Sequence, residues 1–241
     1  MKSHILGVEF DNISPSAAVE RFLGFLDDDV PRVIVTPNPE MLMLARKDAK
    51  FREILNAADL CVPDGIGVVW ASKYSQSRIK ERVPGIELML DAMESPKGRQ
   101  KRWFFLGATP EVAEAAKTAM EERFAGLKVV GVHHGYFDAD SEAAVIEQIK
   151  ASKADIVLVG LGFPRQEKWI HANKHKLGAK VLAGIGGSFD VMSGKVKRAP
   201  KFFIKLRLEW FYRLLKQPSR IWRQRVLVKF ILTVLFRRKK I

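Results

Sequence analysis

The sequence predicts an α/β fold: a Rossmann-like, mostly parallel sheet with helices on both faces, followed by a basic helical appendage. Three observations carry that expectation. Short apolar runs recur along the chain with amphipathic segments between them, the alternation that a parallel sheet built from strand-helix-strand units requires. The runs are apolar throughout rather than alternating with polar residues, as strands covered on both faces must be. Glycines and prolines cluster where the runs end, so the chain turns sharply from strand into helix there.

Taken in order, the runs predict buried strands at Ile5–Val8, Val33–Val35, Leu60–Val62, Trp103–Leu106, Val129–Val132, Ile156–Val159 and Val181–Ala183. Helical spacing predicts crossover helices over Pro39–Asn56, Pro110–Phe124, Ser141–Ser152 and Gln166–Lys176. The acidic run Asp27–Asp29 reads as a solvated turn. After Gly194 the character changes, which divides the chain into an α/β body at 1–194 and an appendage at 195–241. Pro200 and Pro218 mark out two helices in the appendage, near Lys201–Lys216 and Ser219–Phe236, with Ser219 as N-cap. Phe203, Leu206, Trp210 and Leu214 share one face of the first.

A hydrophobic content of 47%, with 15 Phe and five Trp, supplies a core for a chain of 241 residues and excludes a disordered chain. The single cysteine, Cys61, excludes an internal disulfide and a cysteine-rich metal site. It points to a reducing compartment. Residues Met1–Ser14 have no long apolar core and do not read as a secretory signal. No charge-free stretch reaches the roughly 20 apolar residues of a spanning helix. The expected place is the cytoplasm, peripheral on the inner face of the cell membrane. The net charge of +14 is unevenly spread: 16 of the 41 basic residues and one acid, Glu209, fall between Lys195 and Ile241, so the body is close to neutral. Such a tail seeks a polyanion, either nucleic acid or an anionic membrane. Rings interleaved with cations suit a membrane interface.

Ligands of such sheets bind beyond the carboxyl ends of the strands. Gly107, Gly162, Gly186 and Gly187 stand in loops there, where glycine lets a phosphate approach the backbone and a helix N-terminus supplies unpaired N–H groups. Any one such loop is more plainly a tight turn; several at one edge favour a phosphorylated ligand. Gly160-Leu161-Gly162 lacks the third glycine of the dinucleotide fingerprint, and Pro164 is wrong for that turn. A dehydrogenase is therefore disfavoured. Asp64, beside Gly65 at the end of a predicted strand, can accept the proton of an attacking hydroxyl; a turn or capping role is the alternative. Asp138 and Asp140 form a two-aspartate metal pattern, but they precede a helix and read better as capping and dipole partners. His133 and His134 lack the third ligand of a metal site. Arg213, Arg220 and Arg223 in the appendage offer bidentate phosphate contacts, or else plain surface charge.

Thr36-Pro37-Asn38, Pro63-Asp64-Gly65, Glu81-Arg82-Val83-Pro84-Gly85, His133-His134-Gly135-Tyr136-Phe137, Gly162-Phe163-Pro164-Arg165-Gln166-Glu167-Lys168-Trp169 and Gly186-Gly187-Ser188-Phe189-Asp190 follow one another in the chain. In this ordered set the sequence resembles the WecG/TagA/CpsF glycosyltransferases, from about Ile5 through the basic tail. The resemblance implies an inverting transfer of N-acetylmannosamine from its UDP-sugar to a polyprenyl-diphosphate N-acetylglucosamine acceptor, with no metal and no cofactor. It implies Asp64 as base with Thr36 beside it. It places Asn38, Tyr136, Gln166 and Asp190 with the glycine loops around the nucleotide-sugar, and Arg82 with the appendage arginines around the acceptor diphosphate. An anionic membrane surface is the expected partner and nucleic acid is not, while a homo-oligomer stays open. The rival readings are another UDP-hexose donor in exopolysaccharide synthesis and, from a different class, a nucleic-acid-binding protein.

Overall fold

The computed structural model describes residues 2–196 and 221–236, with the side chains of the last segment described from Arg225 onward. Ser219, Arg213, Arg220 and the helix expected near Lys201–Lys216 lie outside the described residues, as does the side chain of Arg223.

Six strands form a sheet in which every pairing is parallel: β3 (Arg32–Val35), β4 (Leu60–Cys61), β5 (Arg102–Gly107), β6 (Lys128–His133), β7 (Ile156–Gly160) and β8 (Val181–Gly184), in the order β4-β3-β8-β7-β5-β6. Successive side chains point to opposite faces, so Val33, Val35, Phe104, Leu106, Val157, Val159 and Leu182 join one core. Ile34, Trp103, Phe105, Ile156, Leu158, Val181 and Ala183 join the other. These buried strand residues are apolar on both faces, which is why the strands read as unbroken hydrophobic runs.

The expected strand at Ile5–Val8 is a correction. It is the turn of an antiparallel hairpin, β1 (Lys2–Ile5) and β2 (Val8–Asp11), apart from the main sheet. Leu6 and Gly7 both take positive φ, 52° and 87°, the backbone that a two-residue hairpin needs to match strand twist. The hairpin guards a sheet edge. Buried Asp11 accepts the Cys61 N–H at 3.0 Å and Arg21 at 2.9 Å, satisfying a donor on the outer side of β4. Cys61 itself is buried, and desolvation pushes its thiol well above the ordinary range, which suits an inert packing residue.

Helices α1 (Pro15–Gly24), α2 (Pro39–Ala45), α3 (Ala49–Asn56), α4 (Ile66–Ala71), α5 (Gly85–Glu94), α6 (Pro96–Arg99), α7 (Pro110–Arg123), α8 (Ala139–Ala151), α9 (Arg165–Asn173) and α10 (Ser188–Met192) cover the sheet. The single helix expected over Pro39–Asn56 is broken between α2 and α3. Nine residues are about two and a half turns, so one straight helix would put Leu42 and Phe51 on opposite sides. The break, restarted by Asp48 accepting the Phe51 N–H at 2.9 Å, lets both become fully buried. Helices α1, α4, α5, α6 and α10 have no counterpart among the expected elements.

A last helix, α11 (Ile221–Phe236), lies against α2 and α4. Phe230 and Val234 are fully buried there, and Arg46 reaches Thr233 at 3.4 Å. Val228, Ile231, Leu232 and Phe236 on the same helix remain exposed, so it is apolar toward the body and apolar away from it. None of the described helices is long and apolar enough to cross a membrane. Truncating the buried ring, Phe230→Ala, costs about 3–5 kcal/mol of packing. It is expected to release α11 first, seen as faster amide exchange over 221–236 with exchange in β5, β7 and β8 unchanged.

Candidate active site

The helices that follow β3, β7 and β6 pack into one core, and those that follow β8 and β5 into the other. From β3 to β6, neighbouring loops therefore diverge at the carboxyl edge, which opens the sheet to a ligand along that edge. The glycine-bearing loops after β5, β7 and β8, and those after β3, β4 and β6, lie there.

At one end, β3 leads into Thr36-Pro37-Asn38. Asn38 turns the chain into α2 by accepting the Glu40 and Met41 N–H groups at 2.9 and 3.0 Å, with Pro39 at the first helical position. Its oxygen is thereby committed, and its amide hydrogens are what it can offer a ligand. The Asp64 N–H donates to the Pro37 carbonyl at 3.2 Å, and the Val83 N–H to the Pro63 carbonyl at 2.9 Å. These bonds knit 36–38, 63–65 and 82–85 together and bring Thr36, Asn38, Asp64 and Arg82 to one place. A Cβ on Gly85 would stand 2.8 Å from Thr36 Oγ1, so glycine in the Val83-Pro84-Gly85 motif is what leaves Thr36 its position. Gly65, at φ 97°, releases the chain from Asp64 into α4.

Toward the other end β5, β7 and β8 finish in Gly107, Gly160 and Gly184 and form a floor of backbone, with the Phe189 ring and the Gln166 side chain packed against it. Gly107, at φ 143°, faces Gly160 on the next strand, and a Cβ on it would lie 2.5 Å from the Gly160 carbonyl oxygen. A Cβ on Gly160 would meet the Gly186 oxygen and the Phe189 ring, both at 2.8 Å. Gly162 and Gly186 take positive φ of 75° and 53° with open space at the Cβ position, and exposed Gly187 follows. Asp190 sits half-buried in the first turn of α10, its carbonyl taking the Val196 N–H at 2.8 Å. Tyr136, on the loop after β6, is 71% exposed.

Gln166 is buried, and its bonds run inward. Its oxygen accepts the Gly186 N–H at 3.0 Å, and its nitrogen donates to Glu167 at 2.7 Å. It therefore holds the loop after β8. Glu167 is buried too, and desolvation pushes its carboxyl above the usual range while the Gln166 bond pulls it back. Sequence reasoning gave Glu167, Gly160 and Arg165 no role of their own. The signal was the run Arg165-Gln166-Glu167 at a helix start, where charged and amide groups can reach loops on either side.

Asp138 caps α8. It accepts the Ser141 N–H at 3.0 Å while the Ser141 hydroxyl accepts the Asp138 N–H at 3.1 Å, and bonds from Ser141 hold its carboxyl below the usual range. The two-aspartate pattern is a helix start. His133 Nδ1 lies 2.7 Å from the His134 carbonyl oxygen, and no group of three potential metal ligands occurs among the described residues. A cavity of about 400 Å³ between α5, α7 and α10 is lined by Ile86, Leu90, Met120, Arg123, Met192 and neighbours. It contains none of the residues picked from the sequence.

A parallel α/β sheet whose neighbouring loops diverge at the carboxyl edge places the chain in the doubly wound α/β class of proteins. The model of the glycosyl transferase WecG/TagA/CpsF family matches residues 3–241, and the chain belongs to that family. It is 38% identical, over 100% of its own length and 94% of theirs, to the N-acetylglucosaminyldiphosphoundecaprenol N-acetyl-beta-D-mannosaminyltransferases of Staphylococcus aureus strains MRSA252, MW2 and NCTC 8325.

Proposed function

We propose that this chain transfers N-acetylmannosamine from UDP-N-acetylmannosamine to a polyprenyl-diphosphate N-acetylglucosamine, in the making of a wall teichoic acid linkage unit or a related surface polysaccharide. One observation carries the reading: a carboxylate, Asp64, shares a sheet edge with the glycine floor in a chain similar along its whole length to transferases of that name. In this reading the acceptor hydroxyl gives its proton to Asp64 as its oxygen attacks the anomeric carbon. UDP leaves from the opposite face, so a single displacement inverts the centre. The charge growing on UDP meets backbone N–H groups over the floor and the amide of Asn38. Tyr136 stacks on the nucleoside, Asp190 accepts a hydrogen bond from it, and Gln166 keeps the loop after β8 in place. Arg82 and the appendage arginines Arg213, Arg220 and Arg223 take the acceptor diphosphate.

The acceptor's lipid stays in the bilayer, so the site must work at its surface. Helix α11 suits that need. Its inner face reaches the residue after next from Gly65, since a Cβ on Gly67 would lie 3.7 Å from the Phe230 ring. Its outer face presents Val228, Leu232 and Phe236 beside exposed Arg225 and Lys229, the mixture that enters a headgroup boundary. On this reading 195–241 is the membrane- and acceptor-binding unit on a 1–194 catalytic body. The test is UDP release with a panel of UDP-hexoses and a short-chain lipid-diphosphate N-acetylglucosamine, together with flotation on anionic liposomes. Turnover restricted to UDP-N-acetylmannosamine and binding to liposomes is expected. Turnover of a different donor would move the chain to another polymer, and RNA retardation without flotation would refute the membrane role.

A further inference from the structure

The loop after β6 is held from outside by one side chain. Arg165, the first residue of α9, donates from Nη1 to the Gly135 carbonyl at 3.0 Å and from Nη2 to the Phe137 carbonyl at 2.7 Å. Its guanidinium carbon lies 4.8 Å from the centre of the Phe137 ring. The two carbonyls flank Tyr136, whose N–H is turned back onto His134 Nδ1 at 3.2 Å. On the inner side the Gly135 N–H is anchored to the Ala108 carbonyl at 2.9 Å. Tyr136 is thus the residue between two clamped neighbours, and its ring stands out from the protein. A planar fork is what this arrangement requires: it can satisfy two carbonyls two residues apart while lying over a ring, which a lysine ammonium cannot do at once.

We infer that Arg165 is a positioning residue: its guanidinium fixes the loop after β6 so that Tyr136 stands ready as the stacking platform for the donor's nucleoside. The inference rests on the donor reading above, and it assigns Arg165 no contact with the donor. An alternative use of the same cation, direct pairing with the UDP phosphates, gives a different result in a double-mutant cycle. The next residue of the helix, Gln166, holds the loop after β8 from the other side. The first turn of α9 therefore braces the loops on either side of its own strand.

The experiment has two readouts on the full chain. Amide exchange at Gly135 and Tyr136, without ligand, is expected to quicken in Arg165→Ala and to be intermediate in Arg165→Lys. UDP affinity measured by calorimetry is expected to fall about tenfold in Arg165→Ala, by the loss of one well-placed stacking surface. In a Tyr136→Ala background the same change is expected to cost nothing further. Losses that add in the double variant would overturn the inference in favour of a phosphate contact, and so would unchanged exchange at Gly135 and Tyr136. Wild-type protein that binds no UDP refutes the donor reading itself, and the platform role with it, even where exchange quickens.

Discussion

Asp64→Asn is expected to lower turnover by about a hundred- to ten-thousand-fold, the usual range for a positioned general base, while UDP binding and the melting temperature stay near those of the wild type. The amide fills the same volume and cannot take the proton. The Asp64 N–H is tied to the Pro37 carbonyl, a bond that the substitution leaves in place. Single-turnover UDP release paired with calorimetry separates the two effects. Near-normal turnover in the folded variant would reject Asp64 as the base, and equal loss of binding and turnover would make it a donor-binding group instead.

Gly107→Ala is expected to unfold the carboxyl edge rather than merely dull the enzyme. Its φ of 143° is closed to alanine, and the added carbon would stand 2.5 Å from a carbonyl oxygen on the neighbouring strand. Backbone strain and overpacking each cost about 1–3 kcal/mol. Together they lower the melting temperature by roughly 5–20 °C in a chain of this size. Gly24 is the control: a Cβ there meets nothing within 4 Å, so Gly24→Ala, in a helix, is expected to be neutral or stabilising by up to about 1 kcal/mol. Differential scanning calorimetry of the two variants checks the contrast. A Gly107→Ala protein as stable as the wild type would mean that the floor is not close-packed.

The sheet was legible because both of its faces are buried. Burial makes each strand of the parallel sheet a run of apolar residues, and the run shows in the sequence whatever its neighbours are. The hairpin was not legible, since Ile5 and Val8 are both apolar and only the backbone at Leu6 and Gly7 separates one strand from two. The break after Ala45 was hidden for a related reason: apolar residues on both sides fit a helix locally, and only the position of the one core that Leu42 and Phe51 share decides that a single straight helix cannot serve both. In the site, the sequence marked the loops and the edge. It could not reveal how Gly107, Gly160 and Gly186 meet, because β7 lies between β8 and β5 while β6 takes the outer edge, and contact across a non-sequential strand order leaves no spacing to read. For the same reason Arg165 passed as one more charge, although its two carbonyl partners lie some 30 residues earlier in the chain.

The bare floor also constrains how this fold diversifies. Where backbones of adjacent strands touch, no side chain can be introduced to favour one sugar over another without prising the strands apart. On the donor reading proposed above, selection for a new sugar would act on the rim, at Thr36, Asn38, Tyr136 and Asp190, while the touching backbones beneath stay fixed.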